Sequence, residues 1–149
     1  MYPIISKIIE VLDRHKVDET RLHALNELSV YLSGEIQKGE IPMVNFICTH
    51  NSRRSVLAQT WMTVLAESFN LKIQAFSGGT EVTEVNERVV SSLRRMGFLV
   101  ISDELEVNSH YEITFSDSIE SITCFSKLFS DEANPNVGFL AVMTCGNAD

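Results

Sequence analysis

Apolar residues recur at helical spacing in the first part of the chain and predict two helices over residues 3 to 38. Pro3 suits the first turn of the first helix, and Gly39 marks the end of the second. The apolar faces carry no reactive group, so we expect them to be packing surfaces, either against the rest of the chain or against another chain. Their members are Ile4, Ile5, Ile8, Ile9 and Leu12, then Leu22, Leu25, Leu28, Leu32 and Ile36.

The pattern then changes to short apolar runs that alternate with helical segments. Residues 43 to 48 form a run typical of a buried strand, and residues 56 to 69 follow with helical spacing. A second strand is predicted over residues 72 to 76, and a further helix over residues 86 to 96 ends at Gly97. This alternation predicts parallel strands joined by right-handed crossovers.

The last part of the chain has a weaker pattern. Residues 111 to 115 alternate like a strand and residues 122 to 125 are apolar, but Asp, Ser and Asn interrupt both runs. Residues 98 to 137 are therefore predicted to be mostly irregular. Residues 139 to 145 predict a third buried strand.

Together these elements predict an α/β fold, a three-layer sandwich around a short parallel sheet with two added N-terminal helices. We expect the strand order second, first, third, which places the strand of residues 43 to 48 in the middle. Its carboxyl end is then a topological switch point, where ligand sites occur in open α/β sheets. Residues 1 to 40 are interpreted as a helical extension and residues 41 to 149 as the α/β domain.

Composition and charge exclude several classes of function. The 149 residues suffice for one domain, and a net charge of -8 disfavours nucleic acid and anionic membranes as partners. We recognise no signal peptide and no membrane-spanning stretch, and three irregularly spaced cysteines indicate neither a secreted disulfide framework nor a zinc site. We therefore expect a cytoplasmic protein with reduced thiols, no metal and no organic cofactor.

One polar segment carries chemistry, the stretch from Cys48 to Ser55, which we call the Cys48 loop. It lies between a predicted strand and a predicted helix, so its backbone N–H groups lack partners within the helix and form a nest for anions. A cysteine at the base of such a nest is stabilised as a thiolate, because a helix N-terminus lowers its pKa from about 8.5 to roughly 3.5–7.5. The loop therefore predicts a nucleophile and a site for a tetrahedral oxyanion.

Side chains of the Cys48 loop fit the same chemistry. The guanidinium of Arg54 matches two oxygens of phosphate or arsenate, and the Ser55 hydroxyl is placed to donate to the thiolate. Asn51 tolerates a left-handed backbone and is expected to brace the loop. Arg53 is expected to be an exposed neighbour. The predicted oxyanion-binding positions are Thr49, His50, Asn51, Ser52, Arg53 and Arg54.

The pattern C-x5-R-S after a buried strand resembles the low-molecular-weight protein tyrosine phosphatases. The form Cys-Thr-His-Asn-Ser-x-Arg-Ser is most similar to the arsenate-reductase branch and its bacterial phosphatase relatives, whereas typical phosphatases of the family have Gly in place of His50. The run Ser77-Gly78-Gly79-Thr80 resembles the family's turn after its second strand. Residues 86 to 89 and 96 to 98 resemble the helix that follows, so the resemblance covers roughly residues 43 to 149.

The resemblance implies a role for individual residues. Cys48 would attack phosphorus or arsenic, Arg54 and the loop backbone would bind the oxyanion, and Ser55 would tune the thiolate. In the reductase branch a second cysteine after the third strand resolves the cysteine–arsenic adduct, and Cys145 stands at that position. The alternative for Cys145 is a small apolar residue at the end of a buried strand.

The family continues with a fourth strand, a final helix and an Asp-Pro pair that supplies the general acid, and these residues contain none of them. We therefore expect the strand of residues 139 to 145 to be an exposed edge, covered by the rest of a longer protein or by another chain such as a second copy. His50 is either a hydrogen-bond donor to the site or a plain loop residue. Candidates for a replacement acid are Asp117, Asp131, Glu132 and Asp149.

Three functions remain open from the sequence. The first is a phosphatase acting on phosphotyrosine-type monoesters, and the second is an arsenate reductase that uses Cys48 and Cys145 with thioredoxin or another thiol as reductant. The third is an oxyanion-binding module without turnover, which the missing general acid would explain.

Overall fold

The computed structural model describes residues 1–12, 17–104 and 107–146. None of the helices in these three stretches is both long and apolar enough to cross a membrane. The helices are α1 (Pro3–Leu12), α2 (Glu19–Gln37), α3 (Arg54–Ser68) and α4 (Glu87–Arg95). The strands are β1 (Met43–Cys48), β2 (Gln74–Gly79), β3 (Leu99–Ser102), β4 (Tyr111–Thr114), β5 (Ile122–Cys124) and β6 (Phe139–Met143).

A three-stranded parallel sheet with the order β2-β1-β6 positions the Cys48 loop. Cys48, the last residue of β1, lies beside Gly79 of β2, and Ile47 lies beside Met143 of β6. Helices flank this sheet, and the arrangement fits a three-layer α/β sandwich. The predicted fold class and strand order are therefore confirmed, with β6 as the third parallel strand.

Both N-terminal helices contribute to the hydrophobic core. Ile5 of α1 is fully buried in a cluster with Val56 and Val64 of α3. Leu32 of α2 packs in a second cluster with Val44 of β1. Full burial of one such side chain contributes about 1.5–3 kcal/mol. The predicted apolar faces thus pack against the rest of the chain only in part, because Ile4, Leu12, Leu22 and Leu25 stay exposed.

Residues 98 to 137 contain a second sheet that the sequence analysis missed. The strands β3, β4 and β5 form an antiparallel sheet in that order. The pattern was weak because the strands are only three or four residues long. In β3, Leu99 and Ile101 are also apolar but exposed, while Val100 between them is buried, so the two faces of the strand do not differ in polarity.

Two predicted strands differ from the observed ones in their bounds or exposure. β2 begins and ends later than predicted, because its pairing with β1 continues to Gly79 and draws Ser77 and Gly78 into the strand. β6 ends before residue 145 and is partly exposed, not buried. Its place at the end of the sheet confirms the expectation of an edge strand, and what covers the edge stays a prediction.

Gly79 lies where the Cys48 loop comes closest to β2. A Cβ atom on Gly79 would stand 2.7 Å from both the Asn51 N and the Thr49 O atoms. Both contacts are with backbone atoms, which have no rotamer by which to move away. The strand must therefore carry glycine at this position if the loop is to keep its shape.

We predict that Gly79→Ala lowers the free energy of unfolding by about 1–3 kcal/mol, the usual cost of overpacking. The matched control is Gly34→Ala in α2, where no atom lies within 4 Å of the added Cβ. That change is expected to be neutral or stabilising, because alanine favours a helix interior over glycine by about 0.5–1 kcal/mol. Urea unfolding of both variants measures the difference, and equal effects would contradict the close approach.

Candidate active site

The carbonyl oxygens of the Cys48 loop are hydrogen-bonded to the segments that surround it. The contacts are Thr80 N to Cys48 O (3.1 Å), Glu81 N to Thr49 O (2.8 Å), Ser126 Oγ to His50 O (2.7 Å) and Asn86 N to Ser52 O (3.0 Å). These donors come from the segment after β2, from the start of α4 and from the segment after β5. They fix the peptide planes of the loop from outside.

The backbone N–H groups of the loop have the opposite arrangement. Those of His50 to Arg53 donate to no oxygen atom within the described part of the chain. Instead, the N–H groups of Asn51, Ser52 and Ser55 are directed at the Cys48 sulfur. Successive N–H groups that converge on one point form an anion-binding nest, so the geometry agrees with the predicted one.

Cys48 is 3% exposed, at the base of this nest. Burial favours the neutral thiol, but it is outweighed by the Ser55 hydroxyl, 3.1 Å from the sulfur, and by the backbone N–H groups. Together these donors hold the pKa of Cys48 below its ordinary value. The site therefore stabilises the thiolate, the nucleophilic form of cysteine, relative to an ordinary cysteine.

Asn51 braces the loop through both ends of its side chain. Its backbone is left-handed, with φ 45°, and the residue is fully buried. Its amide nitrogen donates to the Ser55 Oγ atom at 2.9 Å, and its amide oxygen accepts from the Lys127 N–H at 3.1 Å. Because the Ser55 oxygen already accepts from Asn51, its own proton is available for the Cys48 sulfur. The structure thus places Asn51 and Ser55 in the contacts expected of them, and their roles in a reaction stay a prediction.

Arg53 and Arg54 lie where the loop enters α3. Arg53 is the N-cap residue and Arg54 the first residue of the helix, and both are exposed. Neither side chain makes a hydrogen bond or ion pair with a described residue. Two guanidinium groups and the positive end of the helix dipole therefore oppose the net negative charge of the chain at this one point.

The structure pairs His50 with a carboxylate and not with Cys48. The His50 Nε2 atom lies 3.2 Å from the Glu81 Oε2 atom, and both side chains are half exposed or more. Among the proposed replacement acids, Asp117 accepts a hydrogen bond from the Tyr2 hydroxyl and Asp131 from the Ala133 N–H. Neither of these contacts involves a residue of the Cys48 loop. Glu132 is exposed, and Asp149 lies outside the described residues.

Cys145 lies near the loop, directly after β6. Its Sγ atom is 3.5 Å from the Thr49 Oγ1 atom, and the residue is partly exposed. The Thr144 N–H donates to the Ile47 carbonyl at 2.8 Å and so continues the pairing with β1 up to this point. A parallel strand next to β1 thus delivers a second thiol to the residue that follows Cys48.

Cys124 has a different environment. It is fully buried, and burial raises the pKa of its thiol to about 12. A neutral, inaccessible thiol is unreactive, which agrees with the packing role expected for it. Within residues 1–12, 17–104 and 107–146, no group of three or more His, Cys, Asp or Glu side chains is placed to hold a metal ion.

Sequence reasoning missed the residues that fix the loop from outside. Ser126 and Lys127 follow β5, in the segment predicted to be mostly irregular, and no local motif connects them with the Cys48 loop. Gly79 was noted as part of a family-like turn, but its close approach to the loop backbone depends on strand register. The contacts that the sequence predicted correctly lie within the loop itself.

Comparison of the chain with protein-family models, with curated proteins and with solved structures finds no match.

We predict that Asn51→Gly raises the pKa of Cys48. Glycine keeps the left-handed backbone but removes the amide that orients the Ser55 hydroxyl, so the thiolate loses a well-directed donor. Ser55→Ala, which removes the donor itself, should raise the pKa further. The rate of alkylation by iodoacetamide against pH measures the pKa, in a Cys145→Ala background so that only Cys48 reacts. An unchanged pKa in both variants would contradict the assigned contacts.

Proposed function

We propose that the protein is a cysteine-dependent phosphatase, which hydrolyses phosphate monoesters through a phosphocysteine intermediate. The observation that supports it most is the convergence on the Cys48 sulfur of the Ser55 hydroxyl and three backbone N–H groups. The same loop offers further N–H groups with no oxygen partner and two exposed arginines at its mouth. A nucleophile and donors for the oxygens of its target thus occupy one small site.

The proposed reaction has two steps. The Cys48 thiolate attacks phosphorus in line, and the bond to the leaving oxygen breaks while the loop N–H groups and Arg54 hold the other oxygens. Water then attacks the phosphocysteine, and the Cys48 sulfur leaves as a thiolate that the Ser55 hydroxyl stabilises. Because Cys48 is nearly inaccessible at the base of the loop, an aryl phosphate such as phosphotyrosine suits the site best.

The chemistry also bears on where the protein works. A thiolate nucleophile must stay reduced, so we propose a cytoplasmic location. An activated aryl leaving group such as para-nitrophenolate is stable as an anion and depends little on a general acid, so turnover of such an ester does not require one of the carboxylates to lie beside Cys48.

We predict turnover of para-nitrophenyl phosphate between about pH 5 and 8, and none with Cys48→Ser. Arg54→Ala should lower kcat/KM by about 100- to 1,000-fold, the usual effect of removing one transition-state donor. Arg53→Ala is the matched control and should cause a much smaller loss, because its predicted contribution is a backbone N–H that alanine retains. Equal losses in the two variants would contradict the assignment of Arg54.

Turnover that persists in Cys48→Ser would contradict the proposal directly. A folded wild-type chain that binds phosphate or vanadate tightly without turnover would favour the binding module instead.

Arsenate reduction is the second candidate, supported by the 3.5 Å contact between Cys145 and Thr49. In that reaction Cys48 attacks arsenic and displaces a hydroxyl as water. The Cys145 thiolate then attacks the Cys48 sulfur, so that a disulfide forms and the electron pair of the sulfur–arsenic bond leaves with arsenite. A dithiol such as thioredoxin would reduce the disulfide and complete the cycle.

Cys145→Ala separates the two candidates. If the protein is a phosphatase, the variant should keep nearly all of its ester hydrolysis, because Cys145 takes no part in the two steps. If it is a reductase, arsenate reduction with thioredoxin should be lost in the variant, while wild-type protein given arsenate without a reductant accumulates a Cys48–Cys145 disulfide that mass spectrometry detects. A loss of ester hydrolysis equal to that of Cys48→Ser would mean that the role of Cys145 is assigned wrongly.

A further inference from the structure

A second cavity lies away from the Cys48 loop, beside the outer edge of β2. It has a volume of about 630 Å³, within the range typical of small-molecule sites, and no residue of the Cys48 loop lines it. Its walls come from α3, from the first half of β2 with the residue before it, and from residues 119 to 134. We call it the Lys127 cavity, after the one cationic side chain in its lining.

Lys127 is only 4% exposed, which is rare for a lysine without a partner. Its ammonium group makes no hydrogen bond and no ion pair with any described residue. The group lies 4.6 Å from the centre of the Phe125 ring, which also lines the cavity. A cation over an aromatic face gains some stabilisation, but much less than a hydrogen-bonded counter-ion gives.

The surroundings give the positive charge of Lys127 no direct counter-ion among the described residues. Burial lowers the pKa of Lys127, while Cys124 and Asp131 oppose that shift from a distance. Cys124 contributes no charge near neutral pH, because burial raises its own pKa to about 12. A buried cation without a partner is costly, so an anion that enters the cavity relieves a penalty that the fold alone leaves in place.

The rest of the lining limits which anions fit. Phe76, Ile122 and Phe125 provide apolar surface, and Gln59 and Thr63 provide neutral polar groups. One carboxylate, that of the exposed Glu120, also lines the cavity. One lysine in a lining that also holds a carboxylate does not favour a dianion such as phosphate, but it suits one negative charge on a flat apolar body.

From these observations we propose that the Lys127 cavity binds a small organic monocarboxylate with a flat apolar body, whose carboxylate pairs with the Lys127 ammonium group. The ligand body lies against Phe76 and Ile122. This site is separate from the Cys48 loop and takes a different class of anion.

Benzoate is the probe, and benzamide, which has the same shape without the charge, is the matched neutral ligand. Ligand-observed NMR titration of the full chain should show benzoate binding about tenfold or more tighter than benzamide. Lys127→Met keeps the length of the side chain and the backbone N–H that Asn51 accepts, and should abolish this preference. Lys7→Met, at an exposed position on α1, should leave the preference intact.

Two further measurements keep the test decisive. If Lys127→Met fails to fold, backbone amide shifts in the wild-type protein locate the probe, and shifts at Gln59 and Phe125 without shifts in the Cys48 loop are expected. Cys48→Ser should bind benzoate unchanged, so failure of the proposed phosphatase activity leaves this test intact. Equal binding of benzoate and benzamide, no benzoate binding up to about 10 mM, or shifts confined to the Cys48 loop would overturn the proposal.

Discussion

The candidate site depends on the hydrogen bonds that surrounding segments donate to the carbonyl oxygens of the Cys48 loop. Since each peptide plane carries a C=O and an N–H in opposite directions, hydrogen bonds to the carbonyls from outside turn the N–H groups inward. Inward N–H groups without partners are costly, and a thiolate or a bound oxyanion relieves that cost. The loop conformation and the anionic state of Cys48 therefore stabilise each other. This mutual stabilisation lowers the pKa of Cys48.

This constraint makes remote parts of the chain necessary to the site. Ser126 and Lys127 follow the second sheet and contact the loop across 76 residues of sequence. Lys127 also accepts from the Gly79 N–H at 2.8 Å, and the Phe129 N–H donates to the Gly79 carbonyl at 2.9 Å. The segment after β5 thus joins the edge of β2 to the loop. The antiparallel sheet is therefore part of the support of the site, although it contributes no reactive group.

The sequence predicted contacts between residues that are close along the chain, and it missed contacts between residues that are far apart along it. Asn51 and Ser55 could be assigned because their contacts with each other and with Cys48 lie within one loop, where residue types and spacing limit the geometry. The parallel sheet could be predicted because apolar residues recur at a regular spacing along whole strands and helices. Ser126 and Lys127 could not be placed, since the strand before them is too short to show a period and their partners are set by tertiary packing. The same holds for Gly79, whose close approach depends on register.

Lys127 takes part in both regions. Its backbone is held by hydrogen bonds, whereas its side chain is not. Its backbone N–H is fixed by Asn51 and its carbonyl by Gly79, so the main chain contributes to the shape of the Cys48 loop. Its side chain makes no hydrogen bond within the described residues and lines the Lys127 cavity. Neither of the two backbone bonds involves the ammonium group, so pairing of that group with a ligand would not require them to break. The hydrogen bonds by which Lys127 shapes the Cys48 loop therefore do not depend on what its side chain contacts in the cavity.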